Sequence, residues 1–125
     1  MKTTAYYPVF TAATVDGLKL TLEHLEKNQA LTVAHHFTSE ALDYYVMKDA
    51  SGNSVDWFHL KMAPQPSGFF GLRMNVDNFA EGEKYLLAHG YEVMFPAEET
   101  ESAISAVYKN KGCNPNIVLF QHKHH

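Results

Sequence analysis

The chain has one cysteine, Cys113, among 125 residues, only 10 Lys and Arg against 14 Asp and Glu, and one tryptophan. It has no apolar run near the roughly 18 residues that a membrane-spanning helix requires. Each shortage excludes something. A lone thiol has no intramolecular disulfide partner, and no basic segment followed by an apolar stretch opens the sequence, so a cytoplasmic location is expected. A formal net charge of -4 at pH 7 leaves no basic footprint for neutralising phosphates, so neither nucleic acid nor an anionic membrane is expected as a partner. Also missing are a phosphate-cradling glycine loop, a serine-centred elbow and a zinc-spaced cysteine pair. What is present is an ordinary globular composition, 46% hydrophobic and 19% charged. A chain of this length buries about two thirds of the surface its unfolded form exposes, enough for one self-sufficient domain.

Tyr6 to Val15 is rich in β-branched and aromatic residues and reads as a strand. Apolar residues then take helical spacing at Val15, Leu18, Leu22 and Leu25, with Asp16 as the expected cap and an end near Asn28. Strands are expected at Ala30 to Phe37, Leu42 to Lys48 and Ser54 to Lys61, the last two joined by a turn over Asp49 to Asn53. Pro64-Gln65-Pro66-Ser67-Gly68 is the densest cluster of breakers, and the same order of elements restarts after it. A strand is expected at Phe69 to Val76, a helix at Asn78 to His89 stopped by Gly90, and strands at Tyr91 to Pro96, Ala103 to Lys109 and Asn116 to His122. The fold class predicted is α+β, two tandem βαβββ modules in a single domain spanning 1–125. Module one is 1–63, a linker 64–68, module two 69–122 and a tail 123–125.

The halves can be superposed by placing Thr14-Val15-Asp16-Gly17-Leu18 on Asn75-Val76-Asp77-Asn78-Phe79, a constant offset of 61. One helix covers one face of each module's sheet, leaving the other face to line a cleft between curved mixed sheets. Alternation along strands then assigns side chains to faces. Leu72, Met74, Val76, Val55, Trp57, Val118 and Phe120 are expected under the helices. Phe10, Ala12, Thr14, Asp56, Phe58, Gly71, Arg73, Asn75, Leu119 and Gln121 are expected to line the ligand-binding cleft.

The element order, the strand-to-helix junctions TVDGL and NVDNF, the last strands GNSVD and PNIVL, and the opening PSGFFGLRMNVDNF together resemble the vicinal-oxygen-chelate superfamily. That group includes glyoxalase I, extradiol dioxygenases, fosfomycin-resistance enzymes and bleomycin-binding proteins. The resemblance implies a glyoxalase/bleomycin-resistance-type fold and a homodimer. In metal-dependent members it implies a divalent ion held by a His or Gln in each module's first strand and a Glu in each last strand. Carried over, those positions fall on Phe10, Gly71, Asp56 and Leu119. One carboxylate in four positions does not make that site, so no metal and no cofactor is expected. Asp56 is instead expected either to pair with Arg73 on the same face or to sit in water near a strand end.

Other clusters carry less. His122, His124 and His125 form a terminal tail. His35 and His36 are consecutive in a strand, so one of the two faces the cleft. Glu98, Glu99 and Glu101 read as a solvated loop, and Cys113 has no basic neighbour to activate it. The aromatics Phe10, Phe58 and one of Tyr44 and Tyr45, with Arg73, Asn75 and Gln121 as polar anchors, suit a small aromatic or amphipathic molecule, unless they simply fill a core. The leading function is a metal-independent, glyoxalase-like or bleomycin-resistance-like protein that encloses a small-molecule ligand. The alternatives are a metal-dependent lyase, isomerase or dioxygenase using Asp56 with His35 or His36, and a structural or regulatory module.

Overall fold

Eight strands and two helices follow one another in the order βαβββ, twice. The computed structural model describes residues 2–62, 66–110, 112 and 115–123. The elements are β1 (Thr3–Thr11), α1 (Val15–Asn28), β2 (Thr32–Thr38), β3 (Leu42–Lys48), β4 (Ser54–Leu60), β5 (Gly68–Val76), α2 (Phe79–Ala88), β6 (Tyr91–Glu99), β7 (Ala103–Asn110) and β8 (Asn116–His122). Hydrogen bonding orders the strands β2-β3-β4-β1-β5-β8-β7-β6, a mixed sheet in an α+β fold. Within it β1 runs parallel to β4 and β5 parallel to β8, while the other pairs with a defined register are antiparallel.

The chain forms two compact units, Pro8–Phe70 and Met1–Tyr7 with Gly71–His125. Their boundaries fall inside β1 and β5. In the Pro8–Phe70 unit, Thr11 Oγ1 donates to the carbonyls of Pro66 and Gly68 at 2.8 and 3.2 Å. In the other, Thr4 Oγ1 donates to Asn75 O and Asp77 N to Lys2 O. Of the linker expected at 64–68, Pro64 and Gln65 lie outside the described residues.

The helix starts follow from local chemistry, with one correction. Thr14, not Asp16, caps α1: its hydroxyl accepts from Gly17 N at 2.9 Å, satisfying a donor that the first turn leaves over. Asp16 sits in the first turn, where its charge suits the positive end of the helix dipole. Asn78 does the same work for α2, accepting from Glu81 N at 3.1 Å. Gly90 follows α2 at φ +89°, a left-handed conformation that glycine adopts without a steric penalty. The β3–β4 turn is held by Asp49, whose carboxylate accepts from Ser51 N, Asn53 N and Asn53 Nδ2. Those bonds, led by the Asn53 side chain, hold its pKa below the ordinary 3.8.

A second correction concerns β6, which continues through Pro96 to Glu99. Proline cannot donate to a ladder, but β6 is the last strand in the sheet order, so its outer side needs no donor there. Glu98 and Glu99 consequently pair with Ser105 and Ile104 in the sheet, while Glu101 lies in the following bend.

Each unit has its own core under its own helix. In the Pro8–Phe70 unit Ala12, Leu18, Leu22 and Met47 form the cluster, with Leu25, Leu31, Tyr45, Val55 and Trp57 packed against it. In the other unit Met74, Val76, Phe79, Leu86, Ala106, Tyr108, Ile117 and Leu119 do so, joined by Leu72, Tyr91 and Ile104. Gly82 lets α2 approach closely, since a Cβ there would meet Leu119 Cδ1 at 3.0 Å. Tyr108 is fully buried in this core and its hydroxyl donates to Glu83 on α2. Burial, reinforced by the Glu83 carboxylate, pushes the Tyr108 phenol far above its usual 10.0.

Candidate functional site

Packing under the helices decides which side chains lie on the opposite face, and it divides the expected cleft residues in two. In the Pro8–Phe70 unit, β1 pairs with β4 in the register Val9 to Asp56, Phe10 to Trp57 and Thr11 to Phe58. Trp57 and Ala12 belong to the α1 core. Phe10 stacks on Trp57 with ring centroids 4.9 Å apart, so it lies on the helix side as well. Thr14 is the α1 cap. Phe10, Ala12 and Thr14 are therefore not on the face turned away from the helix; Val9 and Thr11 are. Asp56 and Phe58 are on that face as expected, with Val46 and Tyr44 opposite them on β3.

The other unit shows the same division. Gly71, Arg73 and Asn75 alternate with the core residues Leu72, Met74 and Val76 and so lie away from α2. Leu119 is wholly buried in the α2 core, and Gln121 Oε1 accepts from Phe79 N at 2.6 Å at the start of α2. Val118 and Phe120, opposite Arg73 and Asn75 on β8, take the face expected of Leu119 and Gln121. The physical reason is the repeat offset. The helix caps Thr14 and Asn78 stand 64 positions apart, an even number, whereas the sequence superposition used 61. In a structure of period two, an odd slip moves every side chain to the opposite face.

Two constellations occupy the faces turned away from the helices. In the Pro8–Phe70 unit Asp56 is fully buried, and Tyr44, also buried, donates its hydroxyl to Asp56 Oδ2. Around them Phe58 packs against Tyr44 and Phe70, with centroids 5.6 and 4.8 Å apart. Of the two consecutive histidines, His35 pairs with Val46 and thus shares the face and the lateral row of Asp56, while His36 stacks on Tyr45 on the helix side. Of Tyr44 and Tyr45, it is Tyr44 that lies with Asp56. The sequence signal for this contact was only that β3 and β4 run antiparallel about a tight turn, which places Tyr44 within reach of Asp56.

In the other unit Arg73 is 2% exposed and its Nη1 donates to Asn75 Oδ1 at 3.0 Å. Its guanidinium lies over the rings of Tyr7 and Phe120, 4.5 and 5.3 Å from the centroids. A planar, weakly hydrated cation gains from both π faces what a lysine ammonium would not. A separate open depression of about 420 Å³ lies on the helix side of the Pro8–Phe70 unit, between the end of α1 and the β3–β4 turn. Its lining includes His24, Leu25, Gln29, Asp49 and Val55, none of them among the cleft residues expected from the sequence. Cys113, His124 and His125 lie outside the described residues.

No family model matches the sequence, and no curated protein matches it. Solved structures do. A methylmalonyl-CoA epimerase from Mycobacterium tuberculosis superposes with a TM-score of 0.73 over 98% of this chain and 90% of its own, at 10% identity. The Streptomyces coelicolor methylmalonyl-CoA epimerase gives 0.71 over 96% and 95%, at 11% identity. Glyoxalase I from Zea mays gives 0.62 over 98% of this chain and 45% of its own, at 12% identity. The fold is that of the vicinal-oxygen-chelate superfamily. At these identities the likeness establishes architecture and leaves chemistry to the site.

The residues present do not fit the superfamily's divalent ion. With the corrected register, the face of the Pro8–Phe70 unit offers the Asp56 carboxylate, already accepting from Tyr44, and His35 in the same row, beside Val9, Thr11 and Phe58. The face of the other unit offers Asn75 with the apolar Val118 and Phe120 and a guanidinium, which repels a cation. Among the described residues no three His, Cys, Asp or Glu side chains come together as a metal cluster.

The Tyr44 hydroxyl is the part of this site most easily tested for a role in holding Asp56. Tyr44→Phe keeps the ring and removes the donor from a buried carboxylate, and is expected to cost about 1–3 kcal/mol in urea unfolding. An unchanged midpoint would mean that the contact carries no weight.

Proposed function

We propose that this chain is a cytoplasmic, metal-independent binding protein of the vicinal-oxygen-chelate fold that takes a small aromatic or amphipathic molecule against the sheet faces turned away from its helices, and that it works as a homodimer. The observation that carries the reading is the identity of the side chains on those faces. Where a metal-dependent relative needs N and O donors, this chain presents Phe58, Val118 and Phe120, with Asp56 and Arg73 each already engaged by a polar neighbour, Tyr44 and Asn75. Mostly apolar lining with a few oriented polar groups is the composition of a small-molecule site. Asp56, Phe58, Arg73 and Asn75 are the residues assigned to ligand contact. Gly71 is assigned to the same face.

A second reading has one observation in its favour. His35 shares a face and a lateral row with Asp56, which suits a pair of acid–base or ligating groups in an enzyme of the lyase, isomerase or dioxygenase kind.

Metal content and ligand titration separate the two. Elemental analysis of the His124→Ala, His125→Ala chain is expected to find divalent metal only at trace level. Trp57, the one tryptophan, adjoins Asp56 and Phe58 in β4. Its emission is expected to change saturably on titration with anilinonaphthalene sulfonate, an amphipathic aromatic probe. An equivalent of divalent metal that is lost in Asp56→Ala would overturn the binding reading in favour of the enzyme.

A further inference from the structure

The way α1 ends shapes the surface beside it. After the cap at Gln29, Ala30 turns into the left-handed region at φ 54°, and Leu31 N donates back to Leu25 O at 3.3 Å. That closure sets Leu31 beside the last turn of the helix. Leu25, Leu31 and Val55 of β4 are all half-buried. Each packs on the α1 core and also lines the open depression of about 420 Å³ on the helix side of the Pro8–Phe70 unit. Small-molecule sites span roughly 300–1,000 Å³ and combine such an apolar floor with a few fixed polar groups.

Asp49 of the β3–β4 turn lines the same depression. Its Oδ1 accepts from Ser51 N and Asn53 N and its Oδ2 from Asn53 Nδ2, so the carboxylate is held in one place and kept ionised at neutral pH. The rest of the polar lining, His24 and Gln29 included, contains no lysine or arginine. Among the described residues Asp49 has no ion pair, whereas Asp43, Glu92 and Glu99 each have a lysine.

We propose that this depression is a second binding site, for an organic cation whose ammonium group meets Asp49 while its apolar body covers Leu25, Leu31 and Val55. The fixed anion without a counter-ion selects the charge, and the apolar floor selects the body. An inorganic cation would leave the floor wet, and a neutral molecule would leave the carboxylate unpaired. The carboxylate stands in water, where a charge pair is weak and screened by salt, so a dissociation constant in the millimolar range is expected. This site lies on the helix side, apart from Asp56 and Phe58, and stands or falls independently of the ligand assigned to the opposite face.

The probe is phenethylammonium, with 2-phenylethanol as the neutral molecule of nearly the same shape. Each is titrated to about 20 mM into the full chain labelled with nitrogen-15, at pH 7 and low salt, and followed by amide chemical shifts. Saturable shifts are expected at Leu25, Leu31, Asn53 and Val55, with 2-phenylethanol binding about three- to fivefold more weakly. The difference between the probes should shrink as sodium chloride is added. Asp49→Asn removes the charge and keeps an oxygen to accept from Ser51 N and Asn53 N, and it is expected to bind both probes alike. Equal affinity of the parent chain for the two probes would refute the cation site, whatever the variant does. Shifts that fail to saturate, or that fall elsewhere on the chain, would refute it as well.

Discussion

Gly71→Ala is expected to unfold in urea with a loss of about 4 kcal/mol or more, at the far end of what single substitutions do. A Cβ at Gly71 would lie 1.9 Å from the carbonyl oxygen of Asn116 and within 2.8 Å of that residue's backbone N. Both obstacles are backbone, so no side chain can rotate away. β5 and β8 would have to separate by more than an ångström, and with them the parallel ladder that runs from Gly71 opposite Asn116 to Asn75 opposite Phe120. That ladder holds Arg73 and Asn75 in place, so ligand binding should fall along with stability. Gly112→Ala is the matched control, because its Cβ would meet nothing nearer than Asn110 Oδ1 at 3.9 Å. It is expected to stay within about 0.5 kcal/mol of the parent. A Gly71→Ala chain as stable as that control would show that the strands part without penalty.

Leu119→Ala is expected to cost about 3–5 kcal/mol by the same measurement, the range for a fully buried leucine whose cavity cannot collapse. Its side chain has no exposure, and α2 passes over it at Gly82, where backbone and leucine methyls are already close. Settling of the helix is opposed by the bond from Phe79 N to Gln121 Oε1, which ties the start of α2 to β8. Phe120→Ala, one residue on and facing away from α2, should differ in kind. It removes one of the two rings against the Arg73 guanidinium and is expected to weaken probe binding as well as stability. If Leu119→Ala left stability intact and abolished binding, Leu119 would face the ligand after all and the corrected register would be wrong.

The order of elements, the helix ends and the β3–β4 turn were legible in the sequence, because each depends on residues within one turn or one hairpin. Apolar spacing at Leu18, Leu22 and Leu25, Gly90 as the stop of α2 and Asp49 to Asn53 as a turn are all local chemistry. The strand β6 ran past Pro96 because an edge position, which is a property of the whole sheet, excuses a missing donor.

Which face each strand shows was another matter. Alternation along a strand separates its side chains into two sets, but naming the covered set requires knowing where the helix lies. In β4 and β5 the assignment of Asp56, Phe58, Gly71, Arg73 and Asn75 agreed with the packing. In β1 an offset of 61, and in β8 an offset of 63 after a turn longer by two residues, both odd where the helix caps stand an even 64 apart, sent Phe10, Ala12, Leu119 and Gln121 to the wrong side. The sequence by itself therefore determined the elements and their order, since propensity, capping and turn formation act over a few residues. Only the tertiary structure decided that Asp56 answers to Tyr44, that Arg73 lies between Tyr7 and Phe120, and that His35 rather than His36 shares the face of Asp56. Those relations depend on strand register, which is set by the burial of one face against a helix and by neighbours distant along the chain.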